Sequence, residues 1–239
     1  MSVRGACVLC ALLLAMGCTR GPGKDTGYYS TNALPQDVPG WVPKRNLEQL
    51  VHDTGVMTDR IAAHNAQLAS GEEREAIYRD WRELLLDARV VARPADGFMV
   101  RMWVLGELYR LGHKLGLYGA AELADDNLSA CVAQFPTSVP CNGSLALLYL
   151  SVKATPARLA RTEASLDVLR HAPQPAVVEI AFVETVYLRV AQRDAAGARV
   201  AIDEYLASYP QGEYASQLAS FRPEVDEAVQ HVAEREQEP

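Results

Sequence analysis

Three prolines set the frame of this 239-residue chain. Phe135-Pro136, Ala172-Pro173 and Tyr209-Pro210 follow one another at intervals of 37 residues (136 to 173, 173 to 210), each closing a stretch with helical apolar spacing. Proline has no N–H to donate and its ring clashes with the turn before it, while the residue ahead of it is pushed out of the α region. Equal intervals between helix stops therefore predict equal structural units, each long enough for a pair of helices and its turns. No stretch shows the strict alternation of apolar and polar residues that a half-buried strand would need.

Reading along the chain fills in the units. A first helix carries Leu47, Leu50, Val51, Met57 and Ile61 and closes at Gly71. A second opens on Glu72, Glu73 and Glu75, where the helix dipole favours acids, places Ile77, Trp81, Leu84, Leu85 and Ala88 on one side, and stops at Pro94. Further helices are predicted over 96–119, 120–135, 142–153, 155–172, 175–192 and 194–209, the sixth starting at Thr155-Pro156 with proline at its first position. A last helix over 213–238 is interrupted at Pro223 and runs into an acidic tail. Alanine and leucine dominate and glycine is scarce after Gly143. The expected fold is all-α, built of about eight to nine helices in hairpin repeats.

The units also resemble one another internally. Before Pro136 the chain reads Ala124, Leu128, Cys131, and before Pro210 it reads Ala198, Ile202, Tyr205 at identical spacing. In the helices ahead, Leu105-Gly106 with Tyr109 recurs forty residues later as Leu145-Ala146 with Tyr149. These marks resemble tetratricopeptide (TPR) repeats over about residues 96–215, in two to three copies. The first copy has about six extra residues around Gly112–Gly119. The middle copy's second helix, with Ser165 and Val168 before Pro173, lacks the alanine pattern, and the third copy's first helix has no clear small-residue position. Phrases such as "ARVAIDEYLASYPQGEYASQLA" are similar in style to repeats of periplasmic lipoproteins in outer-membrane assembly and in pilus secretin assembly.

The amino terminus points to the same compartment. Arg4 precedes an apolar run, Ala6 to Met16, too short to span a bilayer but suited to a signal segment. Ala15-Met16-Gly17-Cys18 resembles a bacterial lipobox, with Ala15 where leucine is usual, and implies that residues 1–17 are removed and Cys18 carries a lipid. Thr19 stands where aspartate would mark inner-membrane retention, so the outer membrane of a Gram-negative bacterium is expected, with the chain facing the periplasm. Residues 18–45, rich in glycine and proline, read as a flexible tether. The remaining divisions are a helical pair over 46–95, the repeats over 96–215, and a C-terminal helix and acidic tail over 216–239.

With Cys7 and Cys10 in the signal and Cys18 lipidated, only Cys131 and Cys141 of the five cysteines remain. Neither has the neighbouring cysteine or histidine that a zinc site or a redox CxxC needs. In an oxidising compartment the leftover pair is expected to form a disulfide.

Catalytic chemistry leaves no mark. His52 and His64 share the first predicted helix but stand twelve residues apart, roughly 18 Å, too far to share a metal. His113, His171 and His231 sit on other predicted helices, and there is no HExxH, GxSxG or glycine-rich phosphate loop. No enzyme activity, cofactor or metal is expected, and a net charge of −7 argues against nucleic acid as partner. In repeats of the kind this chain resembles, the first helices line a concave binding face. By that analogy Trp103, Glu107 and Arg110 turn outward in the first copy, and Leu147 and Leu150 in the next. The expected function is a lipid-anchored scaffold or adaptor that binds a protein partner in a cell-envelope assembly. The alternative is a helical lipoprotein of a solute-uptake system that binds a small ligand.

Overall fold

A computed structural model describes residues 34–63, 71–91 and 99–236, with side chains up to Gln230. Within the described residues lie nine α-helices and no strand: α1 (Leu47–Ala63), α2 (Gly71–Val91), α3 (Met99–Lys114), α4 (Ala120–Gln134), α5 (Val139–Ser151), α6 (Pro156–Arg170), α7 (Pro175–Ala191), α8 (Ala195–Ser208) and α9 (Ala215–Glu236). The all-α repeat expectation holds: short turns join the helices, and they pack as consecutive pairs. The chain divides into two compact units, with the boundary between Ser144 and Leu145, inside α5.

In the first unit α1 packs on α2 and α3, α2 on α3, and α3 on α4. Helix α1 starts where Asn46 and Gln49 cap each other: the Gln49 N–H donates to Asn46 Oδ1 at 2.9 Å, and the Asn46 N–H donates to Gln49 Oε1 at 3.0 Å. All five α2 residues expected on one side, Ile77, Trp81, Leu84, Leu85 and Ala88, are buried. Each of the large ones contributes roughly 1.5–3 kcal/mol by leaving water. Trp81 also donates its indole N–H to the Leu108 carbonyl at 2.7 Å, which ties α2 to α3.

Two expectations, one about a helix end and one about the tether, are corrected here. Helix α3 stops at Lys114 rather than running to 119, because Gly116 and Gly119 take positive φ (82° and 77°) in the turn to α4. Residues 35–45 are not a free tether. They form a strap along α2, held by the wholly buried Asp87 and by Arg89. Asp87 accepts from Trp41 Nε1 at 2.8 Å, the Lys44 N–H at 3.2 Å and Arg45 Nη1 at 2.8 Å, and Arg89 Nη1 donates to the Pro35 carbonyl at 2.6 Å. Trp41 thus docks on the second helix, where the buried Asp87 carboxylate accepts its N–H.

The repeat signal has a direct physical basis at Gly106. A Cβ there would lie 2.6 Å from Leu128 Cγ, so α3 approaches α4 more closely than any other residue would allow. Ala124, Leu128 and Cys131 of α4 are all fully buried.

In the second unit α6 packs on α7, α7 on α8, and α8 on α9. Helix α6 begins as expected, with Pro156 at its first position and the Thr155 side chain accepting from the Arg158 N–H at 3.3 Å. Ala198, Ile202 and Tyr205 of α8 are fully buried, as their matches in α4 are. Helix α9 runs unbroken through Pro223, against the expected interruption. Leu218 and Phe221 before the proline and Val225 after it are all buried, and that shared burial offsets the roughly 3 kcal/mol that an interior proline costs.

Candidate partner-binding surface

The three α3 residues expected to face outward do not share one environment. Trp103 is half-buried, whereas Glu107 and Arg110 are 3% and 1% exposed. The outward assignment of Glu107 and Arg110 is therefore corrected: α1, packed against α3, covers that stretch of helix. Arg110 Nε donates to Glu107 Oε2 at 2.7 Å, and from α1 the Thr58 hydroxyl donates to Glu107 Oε1 at 2.9 Å. Burial alone would push the Glu107 carboxyl up. The Arg110 charge, with hydrogen bonds from Arg110, Ser144 and Thr58, outweighs it and holds the pKa down to about 2.

This network fixes Trp103. Its indole N–H donates to Ser144 Oγ at 3.0 Å, and that hydroxyl in turn donates to Glu107. The ring is held in one orientation by a chain of bonds that ends on a buried ion pair, while part of its surface stays open. An aromatic held this way offers a large apolar contact at little further entropy cost.

The cysteine pair lies beside it. Cys131 and Cys141 are fully buried and joined as a disulfide, with their Cα atoms 6.0 Å apart. Met102 shares their core cluster, and the half-buried Met99, Trp103, Val132 and Phe135 pack against it. The Ser138 hydroxyl donates to Met99 Sδ at 3.0 Å. At this end of the first unit, four half-buried apolar side chains thus surround a covalent staple. Sequence reasoning found Trp103 and both cysteines but missed Met99, Val132, Phe135 and Ser144. The helix-period stripe would have placed Met99 near Trp103, four residues on; the other three reach the patch only through the α4–α5 turn.

Leu147 and Leu150 are half-buried on the part of α5 that belongs to the second unit. Cys18 and the whole signal segment lie outside the described residues, as does His64. Beside the strap the first unit carries an open groove of about 720 Å3, lined by Trp41, Leu86, Arg89, Tyr109 and Asn127 among others. Two of the three Arg89 nitrogens are engaged there: Nε with the Tyr109 hydroxyl at 3.1 Å, and Nη1 with Pro35 and Asp37. Among the described residues no group of three or more His, Cys, Asp or Glu is placed to hold a metal, and no helix is long and apolar enough to cross a membrane.

No protein-family model matches this chain, and neither a curated protein nor a solved structure matches it.

Proposed function

We propose that this protein is a non-catalytic adaptor of TPR-like helical hairpins, lipid-anchored through Cys18 at the periplasmic face of an outer membrane. It docks a protein partner of a cell-envelope assembly on the patch formed by Met99, Trp103, Val132 and Phe135. The observation that carries this reading is the held but half-open Trp103, with its N–H bound inward to Ser144 and apolar neighbours on either side. Rigid aromatic anchors inside a small apolar patch are the usual energetic centre of protein interfaces. Glu107 and Arg110 act here as positioning residues beneath the surface, not as contacts. Leu147 and Leu150 remain proposed contacts in the second unit.

A photoreactive residue in place of Trp103, expressed in the native host and irradiated, is expected to give one dominant crosslinked species with another envelope protein. The same group at exposed Arg199 is expected to give none. Equal, diffuse crosslinking at both positions would count against the reading. Metabolic labelling with a fatty-acid probe, lost on Cys18→Ser, tests the anchor.

A further inference from the structure

The second unit holds an arginine that its own fold leaves without a counter-charge. Arg170 ends α6, and its guanidinium lies over the Phe182 ring at 5.2 Å. Nη2 donates to the Thr185 hydroxyl at 2.9 Å, and Nε is buried with no acceptor. Among the described residues no carboxylate reaches it. Of its neighbours, Arg189 pairs with Glu163 at 2.8 Å, and Asp167 is an exposed carboxylate 3.8 Å from His171.

Arg170 opens onto a groove of about 420 Å3 between α6 and α7, within the range of small-ligand and peptide-end sites. Ala160, Ala164, Leu166 and Leu188 supply its apolar lining, and Glu163 and Asp167 stand on the α6 side. The four charged side chains lining the groove, Arg170, Arg189, Glu163 and Asp167, sum to zero. With Arg189 paired to Glu163 and no carboxylate among the described residues in ion-pair contact with Arg170, Arg170 is the cation left to meet a single negative charge. A dianion would meet the two α6 carboxylates. A lone cation stacked on an aromatic ring in a partly dry site binds a carboxylate more strongly than a solvated surface arginine would.

We propose that the α6–α7 groove is a receptor for a single carboxylate joined to an apolar group, with Arg170 Nη1 as the charged contact and the alanines and leucines as the apolar one. This site is independent of the Trp103 patch and of the function assigned to it. The same chemistry is carried by the free C-terminus of a polypeptide and by a small apolar acid.

The full chain lacking residues 1–17, labelled with 15N in its arginine side chains, tests the site by titration followed at the Arg170 Nε signal. The probes are N-acetyl-leucine, N-acetyl-leucinamide, and an acetylated hexapeptide ending in a free leucine carboxylate. N-acetyl-leucine is expected to give a saturable shift at millimolar concentrations, and the uncharged amide to bind at least tenfold more weakly. Binding is expected to fall about tenfold or more in Arg170→Gln, with Arg170→Lys in between and both variants keeping the wild-type helical circular dichroism. A hexapeptide tenfold tighter than N-acetyl-leucine identifies a chain end as the ligand; equal affinity identifies the small acid. No saturation below roughly 50 mM, equal affinity for acid and amide, or undiminished binding by Arg170→Gln overturns the proposal. A readout by circular dichroism and by a second titration at constant ionic strength separates site loss from unfolding and from bulk screening.

Discussion

Cys131 and Tyr205 occupy the same place in two different helices. Each follows a buried alanine by seven residues and a buried Leu128 or Ile202 by three, and each is followed after four by an aromatic residue and then proline. The ends match in conformation too. Phe135 (φ −130°, ψ 69°) donates its N–H to the Cys131 carbonyl at 2.8 Å, and Tyr209 (φ −132°, ψ 61°) donates to the Tyr205 carbonyl at 2.7 Å. In both, the chain turns and is tied back to that same residue. At α4 the tie is the disulfide to Cys141, ten residues on. At α8 the Tyr205 hydroxyl donates to Glu179 Oε1 of α7 at 2.6 Å and accepts from the Tyr214 N–H, nine residues on, at 3.0 Å. Glu179 Oε1 also accepts from the Glu213 N–H at 2.9 Å. One joint is covalent and local; the other is polar and draws in a third helix. The position requires a tie, and the chemistry of the tie is free to differ.

The largest expected effect breaks the covalent joint. Cys141→Ala should cost about 3 kcal/mol by the chain-entropy account of a ten-residue loop. Urea denaturation of wild type with and without reductant should show the same loss, and no dependence on reductant would refute a stabilising role for the bond.

Acid should weaken the first unit by a comparable amount without touching the disulfide. Glu107 has a folded pKa of about 2, below its ordinary 4.5. Its contribution is full above pH 4.5 and disappears as pH falls toward 2, a loss on the order of 3 kcal/mol. Glu107→Gln should flatten that part of the stability-against-pH curve.

The polar joint is broken most directly at Gly212. A Cβ there would collide with both the Tyr205 hydroxyl and Glu179 Oε1, so Gly212→Ala should force them apart and cost about 2 kcal/mol. Thermal unfolding within error of wild type would show that the latch carries no load.

Tyr205→Phe removes only the hydroxyl and should cost about 1 kcal/mol, since the Tyr214 N–H loses its acceptor. It also separates the joints by pH. Burial and the bond to Glu179 push the Tyr205 hydroxyl above its ordinary pKa of 10, so its stabilisation is full below pH 10 and is lost as pH rises further. Alkaline unfolding monitored by tyrosinate absorbance should be shallower in the variant.

The smallest effect is a gain. Arg193, in the α7–α8 turn, has φ 61°, a conformation that L-residues adopt at a cost. Arg193→Gly should raise the melting temperature slightly, by no more than about 1 kcal/mol of stability, because the freer glycine also gains entropy when unfolded.

The paired joints also explain what could be read from the chain. The positions that pack helix against helix were legible because their residue types are forced: only glycine fits between α3 and Leu128, and only small residues fit at Ala124 and Ala198. The middle copy was hidden by one residue. Helix α6 buries Thr162, Leu166 and Leu169, the same four-then-three spacing, but it ends at Arg170, three residues before its proline instead of two. Counting back from Pro173 therefore lands on Ser165 and Val168, one position short. The third copy's small residue is Ala181, fully buried, with Glu184 where the other copies carry tyrosine, so the aromatic cue was absent. Glu107 and Arg110 were misplaced for another reason. A charged pair on a helix reads as solvated unless a neighbour covers it, and nothing in the α3 sequence announces that α1 does. The apolar patch was only partly legible, since Phe135 joins Trp103 through the fold and not through spacing.

The strap along α2 moves the edge of the first unit. By helix content the unit begins at Leu47, yet a chain cut there would keep Asp87 buried while losing Trp41, the Lys44 N–H and Arg45 together. A buried carboxylate stripped of those donors is uncompensated and favours an opened α2 that lets water reach it. The smallest stretch that closes around its own core therefore starts near Pro35, and the helix-free residues ahead of α1 are as much a part of that core as the helices themselves.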